Sequence, residues 1–251
     1  MKHLRKYVII IALVGLQPIL HGQTKCCWTP DSMPAVSGLK DSITKWIHRY
    51  EKEIFAFEAQ DDTLPYLKDA ILFVGSSSFR NWKTLVADMS PIPVMNRGFG
   101  GATMVELSYY AERIIYKYNP KAIVIYCGEN DMAVSFSRIE DVVNEFKILN
   151  EKRKIFLPES KVFFISIKPS PSRRFYLEKF KMANQLMQDY MKEFPNELYY
   201  IDITKTMLDK YGKLDATIFR KDQLHMNSSG YERWTKIIKP ELIKQLNLKV
   251  K

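Results

Sequence analysis

The sequence predicts an α/β fold, a three-layer α/β/α sandwich around a five-stranded, mainly parallel sheet. Short and nearly continuous apolar runs are the first observation. They fall at Ala70–Val74, more weakly around Ile92–Met95, at Ala122–Tyr126, Val162–Ser166 and Leu198–Ile201. Strands buried on both faces read this way, because neither side of the pleat meets water. The second observation is that helical patterns separate the runs, near 81–88, 104–117, 138–154 and 175–193, with a closing helix near 229–246. Strands alternating with helices imply crossover connections and hence parallel pairing. Ser229 and Glu232 have the spacing of a capping box for the closing helix.

At 251 residues the chain supports one sizeable core. Its first 23 residues stand apart. Lys2, Arg5 and Lys6 precede the apolar stretch Tyr7–Leu20, and His21-Gly22-Gln23 follow. That layout predicts a signal peptide over residues 1–23 and an exported protein; the apolar stretch is short for a membrane span. Residues 24–38 read as an irregular lead-in, and Ile43, Trp46, Ile47, Tyr50, Ile54, Phe55 and Phe57 as a helix over 41–59. The expected organisation is therefore a signal segment, a lead-in with one helix over 24–69, and a main domain over 70–251.

Composition narrows the function. Without the three leading cations the formal charge of +10 drops to about +7, spread among Asp and Glu, which describes a solvated surface and not a nucleic-acid footprint. Cys26 and Cys27 are adjacent and Cys127 ends an apolar run as an expected buried thiol, so no disulfide framework emerges. Beyond residue 23 only His48 and His225 remain, too few imidazoles for a zinc centre. No cofactor is expected. His48 lies among charged residues and reads as a surface or packing histidine.

In open parallel sheets, ligands bind beyond the carboxyl ends of the strands, and four segments there can carry chemistry. Gly75-Ser76-Ser77-Ser78 follows the first run. A glycine and small residues at a strand-to-helix turn let the Ser77 hydroxyl stand clear; a polar anion-binding turn is the other reading. Asn96-Arg97-Gly98-Phe99-Gly100-Gly101 follows the second run; its glycines permit either a tight turn or a peptide N–H aimed into a cleft. Gly128-Glu129-Asn130-Asp131 follows the third run, where Asn130 can offer a carboxamide or simply form a turn. Asp222-Gln223-Leu224-His225 places a carboxylate three residues before an imidazole. On one turn it can hold one ring nitrogen while the other faces a hydroxyl.

Taken together, the four segments resemble the blocks of the GDSL-type, or SGNH, ester hydrolases, in that family's order, over residues 70–243. The resemblance implies the SGNH-hydrolase, flavodoxin-like architecture. It implies Ser77 as nucleophile, Gly101 and Asn130 as oxyanion partners, and Asp222 and His225 as the Asp–His pair. Two departures stand out. The family's Gly-Asp-Ser reads Gly75-Ser76-Ser77, and Ala102 stands where many members carry Asp. An α/β-hydrolase fits the order Ser, Asp, His but needs a glycine two residues after the serine, where this chain has Phe79. The implied substrate is a small-molecule or glycan ester, with short-acyl deacetylation of a carbohydrate preferred on the expectation of export. A lysophospholipase or thioesterase is the enzymatic alternative, and a carbohydrate-binding protein that kept the fold without turnover is the non-enzymatic one. Arg173 or Arg174, after the fourth run, is a candidate contact for an acidic group.

Overall fold

The apolar runs form a sheet whose two faces are both covered. The computed structural model describes residues 46–63, 69–133 and 138–249, all within one unit, Ile43–Lys251. The expected signal peptide and lead-in, with Cys26 and Cys27, lie outside the described residues. The strands are β1 (Ile71–Gly75), β2 (Val94–Gly98), β3 (Ala122–Tyr126), β4 (Lys161–Ile165) and β5 (Leu198–Ile201), in the order β2-β1-β3-β4-β5. Every pairing is parallel, so the five carboxyl ends form a single edge.

The helices are α1 (Glu51–Asp61), α2 (Ser77–Arg80), α3 (Leu85–Met89), α4 (Met104–Ile114), α5 (Glu129–Ala133), α6 (Ile139–Phe156), α7 (Leu177–Lys192) and α8 (Ser228–Gln245). Alternation along each strand sends side chains to opposite faces and divides the interior into two cores. Leu72, Val74, Ile123, Ile125, Val162 and Phe164 pack under α1, α4, α6 and α7. Ile71, Phe73, Val124, Phe163 and Ile165 pack under α2, α3 and α8. This is the three-layer sandwich that the sequence predicts.

The differences from expectation have local causes. The helix expected over 81–88 is two short helices, and the first begins at Ser77 itself. The second strand runs further than its apolar residues, through Asn96, Arg97 and Gly98. Being at the sheet edge, it tolerates polar side chains: Asn96 bonds the Phe79 carbonyl at 2.7 Å, and buried Arg97 pairs with Asp61 of α1. The Gly128–Asp131 segment enters α5 and is not a plain loop. The last helix is capped by Asn227, whose side chain accepts the Gly230 N–H, and not by Ser229 and Glu232; Glu232 pairs with Lys236 instead. In α1 only Ile54 is fully buried, and Phe55 points to solvent. Among the described residues no helix is long and apolar enough to cross a membrane.

The second core is thick with rings. Trp234 of α8 is fully buried against Phe79, Trp82, Tyr126 and Tyr231. Truncating it leaves a large void that rigid neighbours cannot fill, so Trp234→Ala is expected to cost about 3–5 kcal/mol of stability. Urea unfolding measures this directly.

Candidate active site

Each candidate side chain owes its place to a strand end. β1 ends at Gly75, whose φ of +135° lies in a region that L side chains rarely adopt. A Cβ there would overlap the Tyr126 carbonyl of β3. The close approach lets the Ser76 N–H donate to Tyr126 O at 2.9 Å while Gly75 O accepts the Phe99 N–H at 2.9 Å. The loops after β1, β2 and β3 are thereby joined at one point. Ser77 then opens α2, half-exposed, with the backbone N–H of a first helical turn free to donate. Ser76, at the position of the family's aspartate, is buried, and its hydroxyl has no hydrogen-bond partner among the described residues.

The imidazole arrives from the other end of the chain. The Phe219–Met226 bridge closes a tight loop, in which the Arg220 N–H donates to His225 O at 2.7 Å and Gln223 takes a left-handed φ of +53°. His225 Nε2 stands 2.9 Å from Ser77 Oγ, and its Nδ1 stands 2.7 Å from Asp222 Oδ2. The other Asp222 oxygen accepts the backbone N–H groups of Leu224 at 3.0 Å and His225 at 2.9 Å. Burial works to raise the Asp222 carboxyl, but the imidazole bond and the two backbone donors outweigh it and hold it down at about 2. Asp222 is therefore an acceptor at any ordinary pH. The tautomer that satisfies it carries the proton on Nδ1 and leaves Nε2 free to accept from the serine.

The two oxyanion candidates sit on the neighbouring glycine loop and in α5. Gly101 has a φ of +76°, and Tyr50 Oη stands 3.0 Å from where its Cβ would be. The Gly101 N–H donates to none of the described residues. Asn130 is the second residue of α5, and its Nδ2 donates to Ala102 O at 3.0 Å. One amide hydrogen is thus used to aim the group and the second remains. Asp131 beside it takes the Met104 N–H at 2.9 Å on Oδ1, tying α5 to the start of α4; burial, the largest effect on it, pushes its carboxyl up to about 6.

The structure thus brings Ser77, His225 and Asp222 into one hydrogen-bonded row and places Gly101 on the adjoining loop and Asn130 in the first turn of α5. It also uses residues that the motifs did not point to. Glu53 of α1 accepts the Gly100 N–H at 3.0 Å and the Arg80 guanidinium at 3.3 Å. It supports the glycine loop beside Ala102. Lys168, after β4, is fully buried against Glu129. His48 is exposed and bonded to Glu51 and Tyr109, as a surface histidine should be. Cys127 is a free, buried thiol that donates to Ala102 O at 3.4 Å. The Arg173 segment touches the loop of the imidazole through Ser172 N–H to Gln223 O at 3.1 Å, and Arg174 packs over exposed Phe175. Among the described residues no group of three or more His, Cys, Asp or Glu side chains is placed to hold a metal ion.

A sequence model of the GDSL-like Lipase/Acylhydrolase family matches residues 58–233. The chain belongs to that family. It is a serine ester hydrolase by membership, and α1 up to Phe57 precedes the matched region. No curated protein matches it. Solved structures share the fold at low identity. A GDSL-like lipase of Bacteroides thetaiotaomicron is 21% identical with a TM-score of 0.64, over 79% of this chain and 97% of that one. A protein assigned as an acylhydrolase from Bacteroides fragilis is 21% identical with a TM-score of 0.65, over 75% and 94%. A catalytic mutant of Axe2, an acetylxylan esterase from Geobacillus stearothermophilus, is 12% identical with a TM-score of 0.58, over 72% and 95%.

Asp222→Asn keeps the shape of the loop but turns one acceptor oxygen into a donor, which favours the wrong imidazole tautomer. Ester hydrolysis is expected to fall by up to about 10⁴-fold in kcat. In the unmodified protein Asp222 stays ionised until the pH falls toward 2 and adds no protonation step to a loss of activity at milder acid pH. The acid limb of kcat/KM should therefore have unit slope. The stabilisation from the depressed Asp222 carboxyl is fully present above its unfolded pKa and is lost progressively as pH falls from there through about 2. A slope of two in the pH–rate profile would contradict this.

Proposed function

We propose that this family member is an exported serine esterase that removes short acyl groups, acetyl first among them, from a carbohydrate or related small ester. The observation that carries the mechanism is the row Asp222–His225–Ser77, with contacts of 2.7 and 2.9 Å. In this reading His225 Nε2 takes the Ser77 proton as Oγ attacks the ester carbonyl, and Asp222 stabilises the imidazolium that forms. The backbone N–H groups of Ser77 and Gly101 and the Asn130 carboxamide receive the charge that develops on the carbonyl oxygen. The imidazolium then protonates the leaving alcohol, and a water activated by His225 releases the acid and restores the serine.

Support for a short acyl group comes from the fold-level likeness to an acetylxylan esterase and from the residues around the serine. Ser77 is half-exposed between glycine loops, and Tyr50 narrows the space beside Gly101. Support for export is the layout of residues 1–23 alone. A second reading has its own observation. A mostly apolar cleft of about 390 Å³ opens beyond the ends of β4 and β5, lined by Ile167, Pro169, Leu177, Phe180, Leu208 and Leu214. No member of the Ser77 row lines it. An acyl chain lying there would make the enzyme a lysophospholipase or thioesterase.

Hydrolysis of nitrophenyl acetate, butyrate and octanoate separates the two. The short-acyl reading expects kcat/KM to fall from acetate to octanoate, and a rise with chain length would favour the apolar cleft. Ser77→Ala should lower kcat by about 10⁴-fold or more on every ester. Asn130→Ala should lower it by about 10²–10³-fold, the loss of one oxyanion donor. Turnover that survives Ser77→Ala would remove Ser77 as the nucleophile, and no Ser77-dependent turnover on any ester would return the protein to a binding role.

A further inference from the structure

Directly behind the Asn130 helix lies a buried ion pair that the proposed reaction does not use. Lys168 is wholly buried, and its Nζ donates to both oxygens of Glu129, at 2.9 and 2.6 Å. The Tyr126 hydroxyl donates to Glu129 Oε2 at 2.8 Å and Ser170 Oγ to Oε1 at 3.5 Å. Lys168 also lies 5.7 Å from the centre of the Tyr126 ring. Taking both charges from water is costly, and an apolar pair of similar volume would hold these layers together at least as well. Stability alone gives no reason to keep the pair.

Its connections suggest another reason. Glu129 immediately precedes Asn130 and opens α5, a helix of five residues. So short a helix has little stability of its own, and its orientation must come from anchors. Three are present: the Glu129 carboxylate, Asp131 on the Met104 N–H, and the Asn130 amide on Ala102 O. Tyr126 joins the same network to the nucleophile, because its carbonyl accepts the Ser76 N–H while its hydroxyl holds Glu129. A chain of contacts thus runs from the end of β4 through Lys168 and Glu129 to the Asn130 helix and, through Tyr126, to the turn that carries Ser77.

We propose that Lys168 is a positioning residue for ester hydrolysis, fixing through Glu129 the first turn of α5 so that the free amide hydrogen of Asn130 meets the oxyanion. The proposal rests on the reading of Asn130 as an oxyanion donor. Lys168 itself touches no reacting atom. Its effect belongs to the transition state, so its loss lowers kcat and leaves KM nearly unchanged.

The test is a double-mutant cycle on nitrophenyl acetate with Lys168→Met, Asn130→Ala and the combination. A misplaced donor costs on the order of 10²-fold, so Lys168→Met should lower kcat by about that factor while KM stays within about twofold. In the Asn130→Ala background the same substitution should cost less than about threefold, because the group it positions is gone. An equal loss in both backgrounds would overturn the proposal. A normal kcat in Asn130→Ala would instead remove the oxyanion reading and the proposal with it. Should Lys168→Met fail to fold, the paired Lys168→Met, Glu129→Met variant replaces both charges by apolar groups and is expected to melt cooperatively. It should keep the kcat defect; full recovery of kcat there would show the pair to be structural only.

Discussion

At Gly75 the first and third strands approach too closely for any side chain, and the active-site edge is organised around that contact. The positive φ turns the chain out of the sheet within one residue, so that Ser77 begins a helix at the carboxyl edge. The same contact makes Tyr126 O the acceptor for Ser76 and frees Gly75 O for Phe99. Loops that would otherwise move independently share one set of backbone bonds. A Cβ at this position would have to push β3 away from β1 or move Ser77 off its turn.

Around that fixed serine the site is assembled from groups of different rigidity. The imidazole loop is held by the bonds that Asp222 makes to its own backbone, so orientation of His225 is a local property of residues 219–226. The glycine loop is held from outside by Glu53 of α1, and the Asn130 helix from behind by Glu129 and Lys168. Preorganised donors lower a barrier because they need not reorient when charge develops. The glycine loop and the Asn130 helix have outer supports on different elements and are bonded to each other through Asn130 Nδ2 and Ala102 O.

The sequence made much of this legible, for physical reasons that differ by element. β3 was readable to the residue, since a central strand buried on both faces must be apolar throughout, and β5 because its edge position is filled by Tyr199 and Tyr200, which are apolar enough to read as a run. β2 was blurred because an edge strand can carry Asn96 and Arg97. The Asp222–His225 row could be read from spacing, because both residues lie on one tight loop. The serine helix was misplaced: its four residues carry no period that a helix pattern can detect. The last helix begins under Asn227, one residue ahead of Ser228, and the Ser229–Glu232 spacing was a coincidence of composition. Glu53 and Lys168 lay outside any motif, since their partners are 47 and 39 residues away in the chain. Only the fold brings them together.

The central claim is that Ser77 is a nucleophile activated by His225. Intact-protein and peptide mass spectrometry after treatment with a fluorophosphonate tests it most directly. One phosphonyl adduct per chain is expected, on Ser77, and none in His225→Ala. A label on another residue, or labelling of Ser77 that persists without the imidazole, would contradict it.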